Sequence, residues 1–104
     1  MTEADLLREI TGRIVTALEP KQLILFGSRA RGEGRSDSDV DLLVVWKDEM
    51  PPRERSAAVR RALRGVSASF DIAVVTPLEF ERLRCRKANI VGVAAREGRV
   101  LHAA

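Results

Sequence analysis

The chain has 104 residues, of which 45% are hydrophobic and 32% are charged, and its formal net charge is +3. This size and composition predict one globular domain with a modest core, spanning residues 1–104, and we expect no separate substrate-binding domain beside it. No apolar run approaches the roughly 20 residues that cross a bilayer, and the acidic start of the chain does not resemble a secretory signal, so we expect a cytoplasmic protein.

The first half of the chain predicts a helix followed by two strands. Apolar residues recur every three or four positions between residues 3 and 19, with Thr2 as the N-cap and Pro20 at the end. Residues 22–28 are a short apolar run stopped by glycine, which predicts a buried strand. Residues 40–46 are apolar on both faces of a strand, which favours a central position in a sheet.

The second half predicts a helix over residues 51–66, which opens at two prolines and carries arginines on its polar face. A strand over residues 70–75 is followed by a helix that Thr76 caps, and a last helix over residues 87–97 precedes a short edge strand at 99–102. This order predicts an α/β domain with a small mixed sheet flanked by helices. Only one strand-to-strand step contains a full crossover helix, which argues against the repeated units of a Rossmann fold.

Three aspartates lie at the start of two of these strands. Asp39 and Asp41 are two positions apart, so their side chains share one face of the strand. Asp71 has the same place in the later strand, and all three carboxylates meet if the strands are neighbours with Asp71 level with Asp41. Clustered like charges destabilise a fold unless something binds them, so we interpret the three as catalytic metal ligands for two magnesium or manganese ions. The alternative is that they are turn and cap residues that precede strands.

The loop before these aspartates contains candidate phosphate ligands. Gly27 allows a ligand to approach the backbone closely, and the hydroxyl of Ser28 adds a hydrogen-bonding group. The arginines that follow supply charge for a phosphate, although a glycine-rich surface turn with solvated arginines remains the alternative. The combined pattern consists of Gly-Ser, ten residues and then Asp-x-Asp. It is a more specific signal of a phosphate and metal site than any of its parts, and it differs from the pattern of a Walker loop. Gly27, Ser28, Arg29 and Arg31 are the candidate phosphate-binding residues of this loop, and Ser38, at its end, is a further candidate.

The remaining composition excludes other kinds of site. The single cysteine, Cys85, and the single histidine, His102, argue against a disulfide, a zinc site and a Ser-His-Asp or Cys-His centre. We interpret Cys85 as a surface or packing residue, and His102 as incidental because it lies near a chain end. The positive charge permits nucleic-acid binding, but three Phe, one Trp and no Tyr are few residues for stacking on bases. We therefore rank direct nucleic-acid binding low.

The stretch GSRARGEGRSDSDVDLLVV resembles the signature of the DNA polymerase beta nucleotidyltransferase superfamily. Within it, the short chain is similar to the minimal nucleotidyltransferases of the MNT family over essentially its whole length. This resemblance implies the palm-like nucleotidyltransferase fold. It also implies that Gly27 and Ser28 hold the triphosphate of a nucleotide and that Asp39 and Asp41 bind two magnesium ions. Asp71 then binds the ion nearer the acceptor and helps to deprotonate its hydroxyl.

The same resemblance implies a partner and a reaction. MNT proteins are typically paired with a helical HEPN-domain partner, often an RNase toxin, and some neutralise it by attaching AMP to a tyrosine. The chain is therefore expected to be an antitoxin-type adenylyltransferase that uses ATP and magnesium, with no membrane partner and with its oligomeric state open. It has no tyrosine, so it cannot modify itself at one. Two alternatives stay open, a small-molecule nucleotidyltransferase of the aminoglycoside type and a non-catalytic module that binds a toxin by contact alone.

Overall fold

The computed structural model describes residues 2–104, which form a four-stranded sheet packed between helices. The helices are α1 (Glu3–Leu18), α2 (Gly27–Ala30), α3 (Pro52–Ala62), α4 (Pro77–Leu83) and α5 (Ile90–Glu97). The strands are β1 (Gln22–Phe26), β2 (Val40–Val45), β3 (Phe70–Val75) and β4 (Arg99–Ala103). Within the described residues, every helix falls short of the length and hydropathy that a membrane crossing requires.

The sheet is mixed and has the order β3-β2-β1-β4. β1 pairs antiparallel with both β2 and β4, whereas β2 and β3 are parallel and are joined by the crossover helix α3. A parallel pair needs such a crossover because a short turn can join only antiparallel strands. The predicted α/β class, the mixed sheet and the central position of β2 are confirmed.

Each face of the sheet carries its own hydrophobic core, because successive side chains of β1 and β2 alternate between two apolar sets. α1 and α3 pack on one face, and α4 and α5 pack on the other. The first core consists of Leu7, Ile10, Ile14, Leu23, Leu25, Val40, Leu42, Val44, Val59 and Leu63. The second core consists of Ile24, Phe26, Leu43, Val45, Phe80, Val91 and Ala94.

The N-terminal caps of α1 and α4 are the threonines predicted from the sequence. Thr2 begins α1 with a capping box, in which its hydroxyl accepts a hydrogen bond from the backbone N–H of Asp5 and the Asp5 carboxylate accepts one from the backbone N–H of Thr2. Thr76 and Glu79 form the same arrangement at the start of α4. Each box satisfies backbone donors that have no partner inside the helix.

Several predicted boundaries were wrong by a few residues. β1 ends at Phe26, not at residue 28, because Gly27 has a φ of 74° and begins the single turn of α2. α3 ends at Ala62, not at residue 66, and the chain then turns through Gly65, whose φ is 92°. α5 begins at Ile90 because the side chain of Asn89 accepts a hydrogen bond from the backbone N–H of Val91. At Gly27 the positive φ ends β1, and at Gly65 it turns the chain after α3 has ended.

The end of the chain is a strand of the sheet. His102 lies in β4 opposite Leu23, within the stretch predicted to form an edge strand. The predicted edge strand is confirmed, with one residue more than expected. Cys85 is exposed, as expected of a surface residue.

Candidate active site

The parallel pairing of β2 and β3 brings the aspartates together at one end of the sheet. Asp41 is the register partner of Asp71, and Asp39 lies two positions before Asp41. The register on which the predicted cluster depended is therefore confirmed. The side chains of Asp41 and Asp71 lie on the face of the second core, because the alternate residues of β2 and β3 belong to the first core. Asp39 and Asp71 are exposed, and Asp41 is half-buried.

The glycine that ends β1 lies directly against this cluster. Phe26 is the register partner of Asp41, so Gly27 follows β1 at the level of the carboxylates. A Cβ atom at Gly27 would collide with Oδ2 of Asp41, and the φ of 74° is strained for any other residue. The Gly-Ser and Asp-x-Asp parts of the sequence motif are therefore two sides of one site.

The electrostatic state of Asp41 reflects its position. Burial raises the pKa of the Asp41 carboxyl above its ordinary value of 3.8, and the negative charges of Asp71 and Asp39 raise it further. The positive charges of Arg31 and Arg29 act in the opposite direction but do not reverse the shift. An ionised Asp41 therefore costs folding free energy in the absence of a cation.

The donor set fits a hard divalent cation. Carboxylate oxygens are the preferred ligands of magnesium and manganese, and neighbouring strands lie about 4.8 Å apart, so side chains level on β2 and β3 can reach one ion. Within residues 2–104 no three acidic, histidine or cysteine side chains are already drawn together around a common point.

The side chain of Arg29 is held by contacts with Glu3 and with the loop before Asp39. Its side chain is only 4% exposed and its Nη1 lies 2.6 Å from Oε2 of Glu3. Its Nε and Nη2 donate hydrogen bonds of 3.2 and 2.7 Å to the backbone oxygen of Ser38, and Nη2 also reaches the oxygen of Ser36 at 3.3 Å. These contacts do not support the predicted phosphate contact of Arg29. They make it a positioning residue that fixes the loop immediately before Asp39.

The other predicted ligands in this loop, Ser38, Ser28 and Arg31, differ in their contacts and in their exposure. Ser38 contributes to the loop itself, since its hydroxyl accepts a hydrogen bond of 2.8 Å from the backbone N–H of Arg35. The half-buried Ser28 stands beside Gly27 at the carboxylates, and its backbone oxygen accepts a hydrogen bond from Glu33. Arg31 is exposed and pairs with Glu33 at 3.3 Å, a contact between exposed groups that a bound anion can replace at little cost.

Sequence reasoning missed two residues that support this loop. Glu3 was not singled out, because an acidic residue in the first turn of a helix is explained by the helix dipole alone. Gly34 was not singled out either, although a Cβ atom there would lie 2.6 Å from Cγ of Arg29. Neither residue carries a local pattern that reveals a contact made across the fold.

Comparison with known proteins places the chain in a family. The sequence profile of the nucleotidyltransferase domain matches residues 6–100. A protein of Methanocaldococcus jannaschii, provisionally named a protein adenylyltransferase, is 32% identical over 80 residues, covering 75% of this chain and 79% of that protein.

Solved structures share the fold. A crystal structure from Sulfolobus solfataricus, provisionally identified as a nucleotidyltransferase, is 26% identical with a TM-score of 0.62, and the match covers 92% of this chain and 76% of that one. A second match is to the complex of tri-AMPylated Shewanella oneidensis HEPN toxin with MNT antitoxin, with 16% identity and a TM-score of 0.62. That match covers 99% of this chain and 74% of the other, and at this identity it shows the fold alone.

Proposed function

The chain belongs to the nucleotidyltransferase domain family, and we propose that it transfers AMP from ATP to a hydroxyl group of a partner protein. The observation that carries this proposal is the juxtaposition of Gly27, Asp41 and Asp71 across three strand ends. A backbone that a phosphate can approach closely lies against the carboxylate of Asp41, whose negative charge a cation would offset. This pairing suits a nucleotide that is bound together with metal ions.

Asp39, Asp41 and Asp71 are the residues that hold the metal in this proposal, with magnesium or manganese as the ion. When bound, the metal supplies positive charge that offsets the charge of the triphosphate and of the departing pyrophosphate. Gly27 and Ser28 contact the triphosphate, and Arg31 adds positive charge near it. Arg29 and Ser38 act indirectly, because their hydrogen bonds fix the loop that leads to Asp39.

The transfer is a substitution at the α-phosphorus. The acceptor oxygen forms a bond to that phosphorus while the bond from phosphorus to the oxygen shared with the β-phosphate breaks. Pyrophosphate leaves with the bonding electrons, and the hydroxyl proton passes to the carboxylate of Asp71 and on to water. Positioning of the two reactants accounts for most of the catalysis that the protein itself must provide.

The identity of the acceptor is proposed from the relatives. One relative is named for adenylyl transfer to protein, and one structural neighbour is an MNT antitoxin bound to an AMPylated HEPN toxin. By analogy with that neighbour, we propose that this chain is an antitoxin and that the acceptor is a tyrosine of a HEPN toxin.

A calorimetric titration of ATP with magnesium into the purified protein tests the nucleotide site. We expect binding by the wild type and none by the double variant Asp39→Asn, Asp41→Asn, whereas Asp37→Asn keeps the binding because it changes an exposed charge in the same loop. Equal binding by the wild type and the double variant would contradict the proposed site.

Mass spectrometry of a co-purified partner, incubated with ATP and magnesium, tests the acceptor. We expect one or more AMP groups on the partner with the wild type and none with Asp41→Asn. A partner that Asp41→Asn neutralises as well as the wild type does would favour a module that acts by contact alone.

A further inference from the structure

Among residues 2–104, the edge of the sheet that β3 forms has backbone groups without hydrogen-bond partners next to Asp71. In the described part of the chain β3 pairs with β2 alone. The backbone oxygens of Ser69 and Val75 accept hydrogen bonds from the backbone N–H groups of Val40, in β2, and of Trp46, which follows β2. Because strand residues alternate in direction, the N–H and C=O groups of Phe70, Ile72 and Val74 point away from β2. Among residues 2–104 these outward groups have no backbone hydrogen bond outside the ladder.

The two edges of the sheet differ in how they are protected. β4 carries Arg99 at its start and is interrupted by a bulge where it pairs with Leu23 and Ile24. Charged residues and bulges are the usual devices that prevent a further strand from adding to an edge. β3 has neither a proline, a basic residue nor an interruption in its pairing, and apart from Asp71 it consists of half-buried apolar residues. Its edge is regular and suited to accept another strand.

The position of this edge indicates what it accepts. A strand added to β3 runs directly past Asp71, the carboxylate assigned to the acceptor hydroxyl. A second copy of the chain is a poor occupant, because it would bring two sets of three carboxylates towards each other, and like charges across an interface oppose association. An extended segment of another protein brings no such repulsion.

We propose that the acceptor polypeptide binds by strand addition, as an antiparallel fifth strand along the free edge of β3, with its reactive hydroxyl beside Asp71. This inference rests on the proposed function and names the way in which the acceptor is recognised. Main-chain hydrogen bonds to Phe70 and Ile72 supply affinity without regard to sequence. They also hold the hydroxyl of the acceptor beside Asp71, since Asp71 lies between these two residues on β3.

Strand addition also sets the side-chain pattern of the acceptor. The hydroxyl residue lies opposite Asp71 on the face of the second core. The residues immediately before and after it then lie on the other face, beside the half-exposed side chains of Phe70 and Ile72. The preferred acceptor is therefore a tyrosine, serine or threonine between two β-branched or aromatic residues, in an extended segment.

A synthetic peptide with the central sequence Thr-Val-Tyr-Val-Thr and a lysine at each end is a suitable probe. Its matched control has N-methyl groups on both valines, which removes the N–H groups that face β3 and leaves the side chains unchanged. Amide hydrogen exchange of the protein is measured with each peptide, in the presence of magnesium and an ATP analogue that cannot release pyrophosphate. We expect the unmodified peptide to slow exchange at Phe70, Ile72 and Val74, and the methylated peptide to have no effect.

Two variants test the same edge in the transfer reaction. Val74→Pro removes an outward N–H while sparing the ladder with β2, since proline is tolerated where a strand N–H faces away from the sheet. Val74→Ala shortens the side chain but keeps the N–H. We expect Val74→Pro to lower the rate of AMP transfer to dilute peptide about tenfold relative to Val74→Ala, which corresponds to one lost hydrogen bond. Calorimetric binding of ATP with magnesium should be equal in both.

Three results would overturn strand addition. The first is unchanged exchange at β3 with the unmodified peptide, and the second is an equal transfer rate for Val74→Pro and Val74→Ala. The third is protection of β3 that rises with protein concentration when no peptide is present, because that result assigns the edge to a second copy. Failure of the wild type to bind ATP with magnesium would instead contradict the proposed function, and the exchange measurement with peptide would still decide the mode of binding.

Discussion

The two ends of the sheet use charged side chains in opposite ways. At one end Asp41 faces Asp71, and burial followed by neighbouring negative charge raises the pKa of Asp41. At the other end the backbone N–H of Thr76 and the guanidinium of Arg55 both donate to Glu79 and lower the pKa of its carboxyl. The first arrangement costs folding free energy until a cation binds, whereas the second stabilises the fold without a ligand. Charge is thus used for binding at one end and for stability at the other.

The largest expected effect comes from neutralising the carboxylate end. We expect Asp41→Asn to lower the rate of AMP transfer by about 10³-fold, because it removes a proposed ligand of the metal ion whose positive charge stabilises the transition state. Asp37→Asn is the matched control, because it removes one exposed negative charge from the same loop and should retain the activity.

The same variant should gain stability while it loses activity. Thermal unfolding without magnesium should show a higher melting temperature for Asp41→Asn than for the wild type, because a repelled and partly buried charge is gone. Magnesium with ATP should raise the melting temperature of the wild type and not that of the variant. A variant that is less stable than the wild type would contradict the contrast between the two ends.

A second comparison isolates the contact between glycine and aspartate. Gly27 and Gly32 have the same φ of 74°, but only at Gly27 would a Cβ atom meet the carboxylate of Asp41, and at Gly32 it would meet open space. Both alanine variants carry a backbone strain of about 1 kcal/mol. We expect Gly27→Ala alone to lose about 10²-fold in transfer rate, since it displaces a catalytic group. Equal rates in the two variants would show that the close approach is unimportant.

The stabilising end is tested by removing Glu79. The side chain of Arg55 is only 6% exposed and its Nε is buried without a hydrogen-bond partner among the described residues, so loss of Glu79 leaves a buried cation unpaired. We expect Glu79→Ala to lower the free energy of unfolding by about 3 kcal/mol in urea titrations. Glu81→Ala, which breaks an exposed pair with Arg84 on the same helix, should cost less than about 1 kcal/mol.

The smallest expected effect is a difference in pH dependence. The pKa of Asp41 is raised from 3.8, so the stability it contributes is present at lower pH and is lost as the pH rises through the raised pKa. The pKa of Glu79 is lowered from 4.5, so its contribution is present at higher pH and is lost as the pH falls through the lowered pKa. Urea unfolding therefore measures two differences in the free energy of unfolding. As the pH rises, this free energy should fall further below that of Asp41→Asn in the wild type. As the pH falls, the excess of the wild type over Glu79→Gln should disappear.

Much of the fold could be predicted from local patterns in the sequence. The alternation along β2 and β3 assigned each aspartate to a face, and the threonine caps fixed the starts of two helices. Asp41 and Asp71 are level because β2 and β3 pair across a crossover of more than twenty residues. No local pattern in the sequence specifies such a register. The sequence could therefore give this register only as a condition for the cluster of carboxylates, and the structure confirms it.

The role of Arg29 could not be predicted from the sequence. In a loop of glycines, serines and arginines, every arginine has the same local surroundings and is equally suited to a phosphate. Only the folded chain shows that Arg29 is buried against Glu3 and the backbone of Ser36 and Ser38, while Arg31 remains exposed. Contacts between distant parts of the chain decide which charge is available to a ligand.

The free edge of β3 also affects how the protein is made. During synthesis β1 and β2 can pair as soon as both have left the ribosome, whereas β3 must wait for α3 to form before it can dock, because it is parallel to β2. Until then both edges of β3 are exposed, and one edge remains exposed afterwards. Nascent chains at high local concentration can join through such edges and aggregate. Slower expression at low temperature, or co-expression with a polypeptide that covers this edge, should increase the recovery of folded protein.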